Sequence, residues 1–334
     1  MTQIVATTPG LYPLPEWAKD ELADLKGHQK EDLIGGDEGE DVQDAYDRAR
    51  ADVVGQQRAA GLDRIVEGQL RWDDMLAHPL VVAENVDTGG IVRYYDNNNF
   101  YRDPIVTGPL EATGDVASEL DAAADHVAAE NALQGVLPGP YSLADLATDD
   151  HYGDEAAFLD AVTEFLASEV REFPSVETLF LLEPSLTANP PGDGPDERAS
   201  GAIDAVAAAA GETDVVVHTY WGALEEKVYA HLMDADVEAI GFDLVTGHDE
   251  SAYLAGEYGA KDGAALGVVD GQNTLVESPG TIRDRIEWFS DRSGEDFETV
   301  YATANTELFY LPVNKLEEKL AALADAADLE EVTA

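Results

Sequence analysis

The stretch TDVVVHTYWGALEEKVYAHLMDADVEAIGFDLVTG, residues 213–247, reads as strand, turn, helix, strand. Its first part, 214–218, is a short β-branched run that closes on a polar residue, His218. Residues 221–233 are helical in composition, with Leu224, Val228 and Leu232 at i, i+4, i+8 spacing. The next apolar run, 237–244, carries Asp243 near its end and is followed by Gly247. A strand that is apolar throughout suits a parallel sheet buried on both faces, and parallel neighbours require a crossover helix between them. His218 and Asp243 then stand at downstream strand ends, where α/β barrels keep their chemistry. The plainer alternative for His218 is a strand-end residue hydrogen-bonded to backbone.

The same alternation extends in both directions. Strands are expected over 3–8, 62–66, 133–137, 178–182, 214–218, 237–242, 265–269 and 300–303. Helices are expected over 41–60, with Gly61 as its C-cap, and over 115–130, 154–171, 196–210, 279–290 and 313–327. Eight strands, most followed by a helix, in 334 residues fit a (β/α)8 TIM barrel forming one domain over 1–334. Two segments depart from the alternation. Residues 16–40 hold a short helix (17–25) and then the acidic, glycine-rich GGDEGED, read as a partly flexible insertion. Residues 79–110 hold short β segments (VVAENV, IVRYYD, PIVTG) around Thr88, Gly89 and Gly90, read as a β-hairpin inserted after strand 2.

Composition limits the function. With 69 acidic against 19 basic residues the chain carries a formal charge of −50, which repels phosphate and argues against non-specific nucleic-acid binding. A hydrophobic content of 45% separates it from acidic disordered chains. The charge therefore reads as an acidic, halophilic surface whose self-repulsion salt would screen. There is no cysteine, so disulfides, thiolate zinc ligands and thiol catalysis are excluded. The opening MTQIVATTPGLYPLPEW has no basic n-region or long apolar core, and no run approaches the ~20 apolar residues of a membrane span. The expectation is a cytoplasmic protein with no membrane contact.

Six segments point further: QQRAAGLDRIVEGQLRWDDML (56–76), RYYDNNNFYRDPIV (93–106), LPGPYS (137–142), LEPSL (182–186), HTYWG (218–222) and GVVDGQNTLVESP (267–279). In this order they resemble the cobalamin-independent methionine synthase family over nearly the whole chain. The resemblance implies a TIM barrel and methyl transfer from a folate-type donor to homocysteine. Full-length enzymes of the family have two related barrels, and only the C-terminal one carries zinc. That zinc is held by a His-x-Cys, a Glu and a late Cys, and it lowers the pKa of the homocysteine thiol.

Carried over, His218 keeps the family histidine, but Tyr220 stands at the first Cys, Gly241 at the Glu and Glu307 (or Thr306) at the last Cys. At the amino-acid-binding positions, Leu182 replaces the Asp of Asp-Glu-Pro, Gln69 replaces a Glu and Leu11 a Ser. A leucine cannot face a substrate ammonium, because the buried charge would go unpaired. The chain thus resembles the N-terminal, metal-free type of barrel, binding no zinc itself and acting with a separate zinc-bearing barrel. The implied donor side is Gln69, Trp72, Asp73 and Asn98, with Tyr141, Glu183 and Trp221 as further ligand-binding candidates. Aromatic residues there would stack on a pteridine ring, or pack the hairpin onto the barrel. Two alternatives stand beside this reading. One is a catalytically silent structural or regulatory barrel. The other is an independent metal-dependent enzyme using His218, Asp243 and Glu307, a donor set suited to zinc, manganese or iron.

Overall fold

A computed structural model describes residues 2–22, 39–72, 74–93, 100–128 and 132–329 of the chain. The path begins with β1 (Gln3–Ala6), α1 (Glu16–Glu21), α2 (Glu40–Ala60), β2 (Arg64–Val66) and α3 (His78–Val81). The inserted hairpin follows as β3 (Val86–Arg93) and β4 (Phe100–Val106). Next come α4 (Asp115–Ala124), β5 (Ala132–Pro138), α5 (Pro140–Leu146), β6 (Thr148–Asp149) and α6 (Glu155–Arg171). The path continues through β7 (Thr178–Leu182), α7 (Ser185–Ala188), α8 (Pro195–Ala209), β8 (Asp214–His218) and α9 (Glu226–Leu232). It closes with β9 (Ala239–Asp243), α10 (His248–Tyr258), β10 (Gly263–Val269), α11 (Pro279–Ser293), β11 (Thr299–Ala304) and α12 (Val313–Ala327).

Eight of these strands form one parallel sheet in the order β1-β11-β10-β9-β8-β7-β5-β2. Its two end strands meet through a single residue. The Asp63 backbone N–H donates to Ala6 O at 3.0 Å, and Ala6 N–H donates to the Asp63 carboxylate at 2.8 Å. A side chain thus replaces one rung of the ladder that the three-residue β2 is too short to supply. Gln134 of β5 spans the same short strand, accepting from Thr7 Oγ1 at 2.6 Å and donating to Thr8 O at 2.8 Å. The result is a (β/α)8 barrel, all but closed.

The strands form where their side chains are buried on both faces. Every residue of β7, β9 and β10 is buried, as parallel strands between a filled barrel and a helix ring must be. The helices turn one face to that sheet. In α6 this face is Phe158, Leu159, Val162, Phe165 and Leu166, and the Asp154 carboxylate caps its start by accepting from Ala157 N–H. Gly61 ends α2 in the left-handed conformation, φ 91°, in which a Cβ would be strained. One contiguous apolar core runs from Val5 of β1 to Ala326 of α12.

The structure corrects several boundaries. The helix expected over 221–233 starts only at Glu226, because Trp221 adopts a left-handed φ of 67° and its N–H is held by Asp243. The helix expected over 115–130 ends as α4 at Ala124. Helix α10 had no counterpart in the sequence reading, since its buried residues, Ser251, Ala252, Leu254 and Ala255, are mostly small and leave no strong apolar stripe. In the insertion, VVAENV is not a strand: Val81 ends α3 and the chain turns before Val86. The hairpin is β3 antiparallel to β4, with β6 added parallel to β4 as a third strand. Of segment 16–40, residues 16–21 form α1 and 23–38 lie outside the described residues. No described helix is long and apolar enough to cross a membrane.

A candidate functional site at the strand ends

The C-terminal strand ends carry three knots of buried polar residues. The first joins β8, β9 and β11. His218 is fully buried, and its Nε2–H donates to the backbone carbonyl of Asn305 at 3.2 Å. That acceptor fixes the tautomer and leaves Nδ1 as the bare nitrogen. Nδ1 has no hydrogen-bond partner among the described residues, and it faces Gly241 so closely that a Cβ there would lie 2.5 Å away. Burial pushes the imidazole pKa down to about 4 against the opposing pull of Asp243, so the ring is neutral at pH 7.

Asp243 is equally buried and works as a loop clasp. Its Oδ1 accepts from Val245 N–H at 2.9 Å and Thr246 N–H at 3.0 Å. Its Oδ2 accepts from Trp221 N–H at 2.9 Å and Thr246 Oγ1 at 2.6 Å, while Asn305 Nδ2 reaches both oxygens at 3.2 Å. Glu307 is buried too, accepting from Gln272 Nε2 at 3.1 Å. Tyr220 donates its hydroxyl to Met75 Sδ at 3.0 Å.

This donor set does not fit a zinc ion. One His218 nitrogen is spent on a carbonyl and the other abuts a backbone Cα. The Asp243 oxygens are taken up by five donor groups. Among the described residues, no three His, Cys, Asp or Glu side chains converge as metal ligands would, and His218, Asp243 and Glu307 are not brought together as a set.

The second knot joins the loops after β1 and β2. Gln69 sits at a left-handed φ of 49° and Leu11 at 52°, both unusual for residues with a side chain. Gln69 Oε1 accepts from Leu11 N–H at 2.6 Å, and Gln69 N–H donates to Glu67 Oε1 at 2.7 Å. Gly10 gives the room, since a Cβ there would lie 2.3 Å from Gln69 Oε1. Trp72 is buried, its ring stacked on His78 at 5.2 Å and 13°, and His78 Nε2 meets the Asp115 carboxylate at 2.9 Å. Trp72 is therefore packed against protein on one face. Asp73 and Asn98 lie outside the described residues.

The third knot joins β5, α5 and β7. Glu183 is fully buried at the start of α5, accepting from Tyr141 N–H at 3.0 Å, Ser142 N–H at 2.7 Å and Ser142 Oγ at 2.6 Å. Burial pushes its pKa up to about 7, although these three donors pull it down. The Tyr141 hydroxyl donates to Asn189 O at 2.8 Å, and the ring lines a side cavity of about 650 Å3. Trp221 is half-buried, edge-on to Tyr220 at 4.9 Å. Sequence reasoning gave no role to Asn305 and Glu67, which help tie the first two knots. Each stands at or near a strand end, which was the one signal available for finding them.

The fold and the polar strand ends define a (β/α)8 barrel of the kind that carries its site at the C-terminal face. A profile of the family described as "Cobalamin-independent synthase, N-terminal domain" matches residues 82–290, more than half of the chain, and the chain belongs to that family. The methionine synthase of Sulfolobus acidocaldarius is 22% identical over 328 residues, covering 96% of this chain and 90% of the relative. That of Sulfurisphaera tokodaii is 22% identical over 289 residues, covering 85% and 80%. Among solved structures, the B12-independent methionine synthase from Shewanella sp. W3-18-1 in complex with selenomethionine superposes with a TM-score of 0.78 at 18% identity. That match covers 97% of this chain and 96% of the other. A methyltransferase from Methanosarcina mazei gives 0.60 at 10% identity, covering 98% and 94%. At such identities the structural likenesses speak to fold alone.

Proposed function

We propose that this chain is the methyl-donor-side barrel of a two-chain methionine synthase, passing a methyl group from a folate-type donor to homocysteine with a separate zinc-bearing barrel. The observation that carries the reading is the pairing of His218 with Gly241. The family histidine is retained, yet its bare nitrogen is closed off by the glycine that stands where the family has a carboxylate. Thiolate chemistry then has to come from another chain, because a free thiol of pKa about 8.5 is mostly protonated at neutral pH. A second reading, a catalytically silent barrel, draws on a different fact: Gln69, Glu183 and Asp243 all bond within the chain.

Metal analysis and a methyl-transfer assay separate these readings. The purified chain is expected to hold no stoichiometric zinc and to form no methionine alone. It should raise turnover when mixed with a barrel carrying His-x-Cys and a late Cys. Methionine formation with zinc bound to this chain alone would overturn the assignment. A partner equally active without it would leave the silent barrel.

The charge of −50 adds a salt adaptation to this proposal. Carboxylate repulsion is screened within about 3 Å at 1 M salt, against about 10 Å at 0.1 M. The melting temperature is expected to climb between those concentrations, and a flat or falling trend would count against a salt-adapted surface.

A further inference from the structure

Glu67 takes no part in the reading above, yet it underlies the clasp between the first two mouth loops. It leaves β2 at the barrel mouth, 1% exposed, and its Oε1 accepts the Gln69 N–H. Gln69 in turn holds Leu11 N–H, while Tyr12 N–H donates to Gly68 O at 2.9 Å. Four contributors to this clasp, the adjacent pairs Gly10–Leu11 and Gly68–Gln69, have positive φ. Two of them carry side chains, so the clasp is strained and persists only while its hydrogen bonds do.

The surroundings of Glu67 are crowded with charge. From α2 come Arg50 and Asp47, paired at 2.7 Å. From α4 come Glu119, paired with Arg50, and Asp115, paired with His78. The segment after β2 supplies Arg71, 3.8 Å from Glu119. With Asp47 itself largely exposed, an ionised Glu67 would make three carboxylates, with Glu119 and Asp115, against the guanidiniums of Arg50 and Arg71 in a largely buried place. Its Oε2 has no hydrogen-bond partner among the described residues, which an ionised oxygen tolerates badly.

We propose that Glu67 is a positioning residue, held as the neutral acid, whose ionisation opens the Gln69–Leu11 clasp and frees the loops at the barrel mouth. An ionised Glu67 gains most by reaching water, and the strained loop above it is the part that can yield. Burial and the nearby Glu119 push its pKa up to about 8, against the pull of Arg50. The sign follows from that direction. The folded state holds this proton more tightly than the unfolded chain, so the clasp is whole below the ordinary carboxylate range and is lost as pH rises through about 8.

Amide hydrogen exchange at Leu11 and Tyr12, corrected for intrinsic rate and run at constant molar salt, reads this directly. In the wild type, protection is expected to fall about tenfold or more between about pH 6 and about pH 9. Glu67→Gln, which mimics the neutral acid and keeps the acceptor for Gln69 N–H, should stay protected across the range. Gln69→Ala should be unprotected throughout. Parallel loss in wild type and Glu67→Gln, or no loss in the wild type, overturns the proposal. Should Glu67→Gln fail to fold, the wild-type titration decides alone. A second arm, binding of 5-methyltetrahydrofolate across the same pH range, rests on the donor-side reading. If exchange behaves as expected and no binding is seen, that reading fails and the clasp stands.

Discussion

Replacing Asp243 by alanine is expected to lower the stability of the chain by about 3–5 kcal/mol, the cost of breaking a buried, charge-assisted network at one partner. The carboxylate takes hydrogen bonds from Trp221 N–H, Val245 N–H, Thr246 N–H, Thr246 Oγ1 and Asn305 Nδ2. Without it, donors from two loops and the end of β11 lose their shared acceptor. Trp221 also loses the bond that keeps a bulky residue at φ 67°. Asp243→Asn keeps one acceptor but turns an amide N–H₂ toward other donors, so an intermediate loss of about 1–3 kcal/mol is expected. Chemical denaturation at fixed molar salt measures both. A loss under about 1 kcal/mol for the alanine variant would mean that the loops are held by other contacts. A metal-ligand role predicts another pattern, in which the variant stays stable and metal content alone changes.

Asp243 also shows where a sequence is informative. The apolar run before it is legible because a strand buried on both faces permits little else, and eight such runs with intervening helices specify a parallel barrel. The polar residue at the end of the run is legible as a strand-end group. Its task is not, because that is set by which loop amides fold back onto it. The same holds for Glu183, which reads as a ligand-binding candidate and serves to cap α5. The start of α9 was misplaced for a related reason. Leu224 fits the helical spacing, yet the preceding backbone is captured by a carboxylate more than twenty residues downstream. Trp72 was visible as an aromatic near a mouth, but its stacking on His78 depends on Asp115 in a different helix. Glu67 passed unnoticed because one acidic residue among 69 carries no signal until its burial is known.

Restoring the family carboxylate by Gly241→Glu is expected to abolish folding rather than to build a zinc site. A Cβ at this position would lie 2.5 Å from His218 Nδ1, 2.8 Å from His218 Cα and 3.1 Å from Val217 O. Two of these three are backbone atoms of β8, and the pairing of Val216 with Ala239 and Val217 with Ile240 ties β8 to β9. Relief would require the strands to separate, so even Gly241→Ala should cost about 1–3 kcal/mol through overpacking. Glutamate adds a carboxylate forced into a dry space beside a neutral imidazole. The alanine variant should melt lower with unchanged secondary structure by circular dichroism, and the glutamate variant should yield no cooperative melt. Zinc measured on any soluble glutamate variant supplies the counter-test. A protein melting like the wild type and carrying one zinc would show that β8 and β9 can part enough to admit a ligand. The proposed absence of zinc from this barrel would then rest on the glycine alone, not on the close packing of the two strands.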